Sequence, residues 1–189
     1  MSDQRISRFD VPELDDLPDD MRQQILAVQE RSGFVPNVFL ALARRPAEFR
    51  AFFDFHATLM DSDEGLSKAE RELIVVATSA RNHCLYCVVA HGAILRIRTK
   101  DPLIADQVAV NPAKADLNER QRAIVDFALR VADNSASITD ADLDDVRALG
   151  FSNEEIWDIG AITALFALSN RYANFAGITP NDEFYAMAR

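Results

Sequence analysis

Hydrophobic and polar positions along this chain repeat at the spacing of an α-helix. Between residues 19 and 31, for example, the apolar residues Met21, Ile25 and Val28 are separated by three or four positions. This spacing places them on one side of a helix. No segment shows the strict alternation of apolar and polar residues that is typical of a half-buried strand. The pattern therefore predicts an all-α protein.

Capping residues indicate where these helices begin. Ser67 with Glu70, and Ser152 with Glu155, each have the spacing of a capping box, in which a side chain and a backbone amide bond reciprocally. The last long helix should end near Gly177, because glycine is favoured just after a helix C-terminus. Helices are predicted to begin at or near Asp19 or Asp20, Pro46, Ser67, Cys84, Asn118, Thr139 and Ser152, with a shorter one after Asp101.

The organisation of the chain follows from its length and composition. With 189 residues, 49% of them hydrophobic, the chain can bury a substantial core. Residues 1–18 are acidic and contain Pro12 and Pro18, so we expect a loosely held N-terminal arm. Residues 19–189 are predicted to form a single all-helical domain.

Charge and hydropathy exclude several classes of partner. The formal net charge is −10, from 20 basic and 30 acidic residues, and no cluster of basic residues offers a surface for nucleic acid. No run approaches the roughly 18 apolar residues that a membrane span needs, and no signal segment opens the chain. The sequence thus favours a protein of the cytoplasm that binds neither nucleic acid nor membrane.

Candidate chemistry is concentrated between residues 72 and 91. Both cysteines of the protein, Cys84 and Cys87, form a C-x-x-C pair there, and His91 follows four residues later. On a helix these three residues share one face. Glu72 lies on an apolar face of the preceding predicted helix, where a carboxylate without a partner is costly to bury. We therefore expect Glu72 to meet the thiols and the imidazole.

The position of the cysteines favours redox chemistry. A thiol in the first turn of a helix faces unpaired backbone N–H groups, which lower its pKa. Side chains three residues apart on a helix have Cβ atoms about 5–6 Å apart, whereas a relaxed disulfide needs about 3.5–4.5 Å. A disulfide between Cys84 and Cys87 would thus be strained and easily reduced. Such a pair suits turnover better than structural stabilisation.

Other interpretations of these residues remain open. Cys84, Cys87, His91 and Glu72 are zinc-ligand types, although no second Cys/His pair completes a familiar structural site. The two cysteines could also be inert residues of the core.

Ordinary structural roles are possible for the charged and histidine residues as well. Glu72 could pair with Arg71 or Arg81, and His91 could be a hydrogen-bonded core histidine. His56 lies in a segment rich in phenylalanine, which indicates a packing or surface role, and His83 is expected in an exposed loop.

The central residues resemble the alkylhydroperoxidase AhpD-like family, within the carboxymuconolactone decarboxylase superfamily. The resemblance rests on Glu72, Cys84, Cys87 and His91 at the spacing of that family, with Ser79 in its usual place. Further matches are the segment Gly33-Phe34-Val35-Pro36-Asn37 and the pair Asn170-Arg171, which extend the resemblance to the peroxidase-related branch over nearly the whole chain.

The resemblance implies an all-helical AhpD-like fold, a homo-oligomer (trimer or hexamer) and a role for each site residue. Cys87 would be the peroxidatic thiolate that attacks a hydroperoxide, and Cys84 would resolve it to a disulfide. Glu72 and His91 would relay protons. A lipoyl-bearing adaptor protein or another thiol reductant would restore the pair, with no bound cofactor or metal. Tyr86 departs from the pattern, because some members carry a histidine there that joins the proton relay.

Three functions are compatible with these residues. The first is a thiol-dependent peroxidase or disulfide reductase. The second is a decarboxylase-like enzyme of the same superfamily, which would use Glu72 and His91 as acid and base without the sulfurs. The third is a non-enzymatic redox-sensing or chaperone-like oligomer. Asn170 and Arg171 either line the site, hold a subunit contact or form an ordinary ion pair.

Overall fold

Every regular element of the described chain is helical. The computed structural model describes residues 5–189, and no strand occurs within them. This part of the chain contains α1 (Asp19–Ser32), α2 (Asn37–Ala43), α3 (Pro46–Met60), α4 (Lys68–Arg81), α5 (Leu85–Thr99), α6 (Ile104–Val110), α7 (Glu119–Asn134), α8 (Asp140–Ala148), α9 (Asn153–Ala176) and α10 (Asp182–Ala186). The all-α prediction is therefore confirmed. Only the short α10, which follows Pro180, was not expected from the sequence.

The predicted capping boxes form at the two helices that position the site. At the start of α4, the Glu70 amide donates to the Ser67 hydroxyl (3.3 Å) and the Ser67 amide donates to the Glu70 carboxylate (2.8 Å). At the start of α9, Ser152 and Glu155 exchange the same two bonds, at 3.2 and 2.8 Å. Both boxes satisfy backbone amides that have no partner inside the helix.

The start of α1 differs from the expectation. Pro18 occupies the N-cap position, and no side chain caps this helix. Asp19 and Asp20 lie in the first turn, where their charge favours the positive end of the helix dipole. The Asp20 carboxylate is instead held by Arg50 of α3, at 2.6 Å from its Nε. The helix therefore begins with both aspartates inside its first turn and neither in the N-cap position.

Helix α4 lies at the centre of the molecule. It packs against α5, α6, α7 and α9, and its residues from Leu73 to Val76 are fully buried. A helix buried on all sides must place any polar residue it carries against another helix. This arrangement forces the side chains of Arg71 and Glu72 into the interior.

Arg71 is fully buried, and its contacts fix the start of α4. Its guanidinium donates to the carbonyl oxygens of Leu59 (2.7 Å), Glu64 (2.6 Å) and Leu66 (3.1 Å). It also forms an ion pair with Asp158 of α9, at 2.9 Å. These four contacts use the donors that burial would otherwise leave unsatisfied.

The start of the described chain is hydrogen-bonded to the end of α9. From residue 5 onward, it lies along the end of α9: the Arg8 amide donates to the Ala176 carbonyl (2.7 Å), and the Thr179 amide donates to the Ile6 carbonyl (3.1 Å). Gly177 ends α9 with φ +62°, and a Cβ there would come within 3.0 Å of the Arg8 side chain. Residues 5–8 of the expected arm are thus hydrogen-bonded to the end of α9, and residues 1–4 lie outside the described part of the chain. The division into an arm over 1–18 and one domain over 19–189 stays a prediction.

None of the helices between residues 5 and 189 combines the length and the apolar character that crossing a bilayer requires.

Candidate active site

A tight turn between α4 and α5 places the first cysteine. The Cys84 amide donates to the carbonyl of Ser79, two residues before the end of α4, at 2.9 Å. His83 takes a left-handed conformation with φ +52°, which costs a residue other than glycine roughly 1–2 kcal/mol. The turn puts Cys84 at the N-cap of α5 and leaves the His83 side chain exposed, as predicted.

The two sulfurs are buried, free and unequal. The Cys84 sulfur accepts the Cys87 amide at 3.4 Å, so it stands at the positive end of α5. A hydrogen bond from the Cys87 thiol, together with this amide and against the effect of burial, lowers the pKa of Cys84 to about 7. The same shared proton, with burial, raises the pKa of Cys87 well above its ordinary value. Cys84 is therefore the first of the two thiols to ionise.

Helix α9 supplies the second wall of the thiol site. The Ser169 hydroxyl lies 3.9 Å from the Cys87 sulfur. The Asn170 amide donates to the Ser79 hydroxyl (2.9 Å) and its oxygen accepts from Asn82 (2.9 Å), and this side chain helps to lower the pKa of both thiols. Ser169 was not identified from the sequence as a site residue. Its position among the apolar residues of a predicted helix is the signal that could have identified it.

The pair Asn170-Arg171 is divided between two surfaces. Asn170 is fully buried and lines the thiol site, whereas Arg171 is exposed on the other side of α9. The Arg171 guanidinium donates to the Ala167 carbonyl of its own helix at 2.6 Å. Among residues 5–189, no carboxylate lies within ion-pair distance of it, so the ordinary ion pair considered above does not form.

Glu72 and His91 form a buried acid–imidazole pair. The Glu72 carboxylate Oε2 lies 2.8 Å from the His91 Nδ1. Arg71 and Arg81, the other partners considered for Glu72, pair with Asp158 and Asp133 instead. With Nδ1–H donating to the carboxylate, the Nε2 atom of His91 is left to accept or donate a proton. His91 follows Cys87 by one helical turn, and its charge, when it is protonated, is among the causes that lower the pKa of Cys84.

His56 lies beside this site, although its position among phenylalanines in the sequence indicated a packing or surface role. Its ring centroid is 6.2 Å from that of His91 and 6.0 Å from that of Phe166. Phe166 also packs edge-on against His91, at 4.8 Å. Burial, and the nearby charge of His91 when protonated, lower the pKa of His56 to about 4. His56 is therefore neutral at pH 7, and only tertiary packing of α3 on α9 could reveal its position.

Tyr86 takes a structural role between the two cysteines. Its side chain is buried, and its hydroxyl accepts the Val38 amide of α2 at 3.2 Å. Burial raises the pKa of this phenol above its ordinary value. Tyr86 therefore anchors α2 to α5 and does not replace the proton-relay histidine of some AhpD-like proteins.

The acidic, sulfur and imidazole groups are not arranged as a metal site. Within the described part of the chain, no three Cys, His, Asp or Glu side chains are grouped so that they could hold a metal ion. The zinc interpretation of Cys84, Cys87, His91 and Glu72 thus finds no support in the geometry.

Two apolar cavities lie on the far side of α9. The first, of about 510 Å³, is lined by residues that include Phe52, Leu168 and Phe175. The second, of about 780 Å³, is lined by residues that include Trp157 and Ala164. Neither cavity is lined by a cysteine, by Glu72 or by His91. The thiol site is therefore a packed polar cluster, separate from the large cavities.

These features define an all-helical protein with a paired-thiol site at a helix N-terminus and a buried Glu–His pair beside it. Residues 46–109, from α3 to α6, match the model of the carboxymuconolactone decarboxylase family. A solved structure from Ralstonia eutropha JMP134, an alkylhydroperoxidase AhpD core described as an uncharacterized peroxidase-related protein, is 63% identical, with a TM-score of 0.97 and 98% of each chain covered. The chain belongs to the AhpD-like group of the carboxymuconolactone decarboxylase superfamily.

Two further structures extend the comparison. A peroxidase-related protein from Silicibacter sp. TM1040 is 37% identical, with a TM-score of 0.93 and coverage of 100% of this chain and 99% of that one. The debrominase Bmp8 is 20% identical, with a TM-score of 0.78 and coverage of 97% and 95%, which shows a shared fold alone. A comparison with curated protein sequences gives no match.

Proposed function

We propose that the protein is a thiol-dependent peroxidase that reduces hydroperoxides through Cys84 and Cys87. The observation that carries this proposal is the arrangement of one ionisable sulfur beside a second thiol and a buried Glu–His pair. The pKa of Cys84, about 7, makes the pair reactive at neutral pH. A thiolate is the form of cysteine that attacks an O–O bond.

Cys87 makes the attack, as the family resemblance implies. At neutral pH the charge of the pair lies mainly on Cys84, so transfer of the Cys87 thiol proton to the Cys84 sulfur makes Cys87 the thiolate. Cys87 is also the cysteine one turn from His91, which puts the leaving oxygen near a proton donor. The attack forms a Cys87 sulfenic acid and releases an alkoxide, which the Glu72–His91 pair protonates to the alcohol.

The second half of the reaction joins the two sulfurs. The proton given to the alkoxide is the one that the thiol pair first loses to His91. The Cys84 thiol then gives its proton to His91 and attacks the sulfenic sulfur of Cys87, forming the disulfide, and the departing hydroxide takes that proton back from His91 to leave as water. The sum is two thiols plus one hydroperoxide, giving a disulfide, an alcohol and water. A dithiol reductant then restores the pair, and a lipoyl-bearing adaptor protein is the carrier that the resemblance suggests.

A comparison of two single substitutions tests this proposal. Wild type should consume a hydroperoxide with a dithiol reductant, and Cys87→Ser should lose this activity. Cys84→Ser should still form one equivalent of sulfenic acid at Cys87, trapped by a sulfenic-acid reagent and located by mass spectrometry. Full activity in Cys87→Ser would refute the mechanism, and sulfenic acid that forms at Cys84 instead would reverse the two roles.

The Glu72–His91 pair favours one other function, an acid–base reaction of the decarboxylase type. This pair, at 2.8 Å, forms without any contribution from sulfur. A decarboxylase-like enzyme would keep its activity in the Cys84→Ser/Cys87→Ser double variant and lose it in Glu72→Gln. The peroxidase would lose activity in the double variant. The double variant therefore separates the two functions.

We also propose the setting in which the enzyme works. Two free thiols that cycle with a disulfide need a reducing compartment, so we place the protein in the cytoplasm. We further propose a homo-oligomer, as the AhpD-like resemblance implies.

A further inference from the structure

His56 of α3 is a titratable side chain that the proposed reaction leaves unused. Its ring centroid lies 6.2 Å from that of His91 and 6.0 Å from that of Phe166. Phe52 and Phe53 of its own helix lie on other sides, with centroids at 6.3 and 6.4 Å. Among these neighbouring rings, only His91 can give or take a proton. The packing of α3 therefore brings one further imidazole to the proton-transferring group of the site.

The nitrogens of both histidines are open to water. Within residues 5–189, every fully buried nitrogen or oxygen of a buried or half-buried side chain has a hydrogen-bond partner. His56 is half-buried and its nitrogens bond to no group in that part of the chain, so both border space that a water molecule can enter. The same holds for the His91 Nε2, because the bond to Glu72 uses Nδ1. Polar groups beyond hydrogen-bond distance of each other are commonly bridged by water.

The charge state of His56 suits the passage of protons. Burial, and the nearby charge of His91 when protonated, lower the pKa of His56 to about 4. A neutral imidazole has one N–H that donates and one nitrogen that accepts. It can take a proton from water on one side and release another on the other side without keeping a charge. Glu72 lies beyond His91 and bonds to its Nδ1, so it leaves His56 free for this exchange.

The proposed reaction removes two protons from a buried site in each turnover. Two thiols and one hydroperoxide give the disulfide, an alcohol and water, so both thiol protons leave with the products. A dithiol reductant attacks as a thiolate and has left its protons in solution. Two reductant thiolates and two protons then restore the two thiols and release the reductant as a disulfide. Those protons must come from solvent, although Cys84 and Cys87 are only 0% and 2% exposed.

We propose that His56 conducts protons from solvent to His91 while the disulfide is reduced. This inference rests on the proposed peroxidase function and adds one residue to it. In this role His56 acts through His91 rather than on the sulfurs, so it positions and supplies the proton that His91 delivers.

Proton delivery matters most where a sulfur leaves as a thiolate. Reduction of the disulfide takes two attacks, and each protein sulfur leaves in one of them. The pKa of Cys87 lies well above its ordinary value, so this sulfur leaves slowly unless it is protonated as it departs. His91, one helical turn from Cys87, is the donor, and His56 restores its proton.

Separate measurement of the two half-reactions tests this role. Reduced protein already carries both protons, so a hydroperoxide should oxidise His56→Phe in a single turnover at nearly the wild-type rate. Reduction of the oxidised variant by dithiothreitol should be slower than in wild type by roughly tenfold to a hundredfold. The ratio of the two reduction rates should grow as the pH rises, because protons become scarcer. Alkylation of free thiols in quenched samples, followed by mass spectrometry, measures both half-reactions.

Imidazole added to the solution distinguishes proton transfer from packing. His56→Ala leaves space that a free imidazole can enter, so imidazole should restore its rate of reduction, whereas His56→Phe fills this space and should not respond. Phe52→Ala is the matched control, because it removes a neighbouring ring of the same helix but no proton carrier. An equal response to imidazole in His56→Ala and Phe52→Ala would contradict the proposal.

The outcomes separate this inference from the function on which it rests. A wild type that does not react with a hydroperoxide would refute both. A wild type that turns over, with equal reduction rates in wild type and His56→Phe, would refute only the role of His56. Oxidation and reduction that slow by the same factor in His56→Phe would show a disturbed thiol site, which would also overturn the inference.

Discussion

At the residue scale, the chemistry depends on how Cys84 and Cys87 share one proton. The N-cap position gives Cys84 both the Cys87 amide and the Cys87 thiol as donors. The Cys87 sulfur lies inside the first turn beside Ser169, and the effects of Cys84 and of burial on its pKa outweigh those of the Ser169 and Asn170 side chains. The first proton therefore leaves near pH 7 from the pair as a whole, with the charge mainly on Cys84.

Removing the thiol donor should raise the pKa of Cys84. In Cys87→Ala the Cys84 thiolate loses the contact that lowers its pKa most, while its sulfur stays buried. The pH midpoint of iodoacetamide modification, followed by mass spectrometry, should lie near 7 in wild type and higher in the variant. Cys87→Ser retains an O–H donor and should lie between them. Equal midpoints in wild type and Cys87→Ala would show that this hydrogen bond does not set the pKa.

His56 should make the protein sensitive to acid. Its pKa falls from 6.5 to about 4 on folding, so the unfolded chain binds more protons between these two values. Stability is then full above pH 6.5 and declines as the pH falls toward 4, by at most about 3 kcal/mol at 1.36 kcal/mol per pKa unit. His56→Phe should reduce this decline in urea unfolding at pH 7, 5.5 and 4.5.

The exposed His83 provides the control for this experiment. His83→Asn suits the left-handed backbone and should leave the pH dependence of stability unchanged. If stability falls with pH equally steeply in His56→Phe and wild type, the pKa of His56 does not differ between the folded and unfolded states.

At the element scale, α4 combines two arginines with opposite environments. Arg71 is fully buried and donates to three carbonyls as well as to Asp158. Arg81 pairs with Asp133 at the surface, where its side chain is 56% exposed. The burial of Arg71 fixes the rotation of α4 and, with it, the direction of Glu72 one residue later. The surface pair at Arg81 is screened by solvent and has no such effect.

The two arginines should therefore differ strongly on substitution. Arg71→Met leaves Asp158 and three carbonyls without donors and should lower the free energy of unfolding by roughly 3–5 kcal/mol. Arg81→Met should lower it by less than about 1 kcal/mol. Chemical denaturation of the two variants beside wild type measures both values. Similar losses in the two variants would contradict this account of α4.

At the scale of the whole molecule, residues 5–8 meet the end of α9 and the segment that follows it. Ser7 is buried, and its hydroxyl donates to the Ala176 carbonyl at 3.0 Å across 169 residues of sequence. The Arg8 amide reaches the same carbonyl. These bonds give a partner to a carbonyl at the C-terminal end of α9, the helix that also carries Ser169 and Asn170. The N-terminal segment thereby stabilises the helix that forms one wall of the thiol site.

A pair of serine substitutions measures this support. Ser7→Ala should lower the free energy of unfolding by about 1 kcal/mol, because it removes a buried hydrogen bond. Ser137 donates to the Asn134 carbonyl at a similar distance, 2.9 Å, but is exposed and local. Ser137→Ala should therefore change stability by only a few tenths of a kcal/mol. If Ser7→Ala lowers the stability in thermal unfolding no more than Ser137→Ala does, the N-terminal segment adds no measurable stability through this bond.

Much of the fold could be predicted because its signals are local. Helix periodicity needs only neighbouring residues, and the capping boxes at Ser67 and Ser152 are formed by side chains three residues apart. The cap at Asp19 or Asp20 was predicted wrongly, because the helix already begins at Asp19, with Pro18 in the N-cap position. The hydrogen bonds of residues 5–8 to the end of α9 could not be predicted, since their partners lie more than 160 residues away.

By itself, the sequence determined the helical class, the position of Cys84 and Cys87 at a helix start, and their common face with His91. These features follow from backbone periodicity and spacing within one segment. Only the tertiary structure decided that Glu72 pairs with His91 rather than with an arginine, and that Asn170, Ser169 and His56 join the site. These contacts depend on how α3, α4 and α9 pack around α5. Burial then requires each polar group to bond to the partner that this packing places beside it.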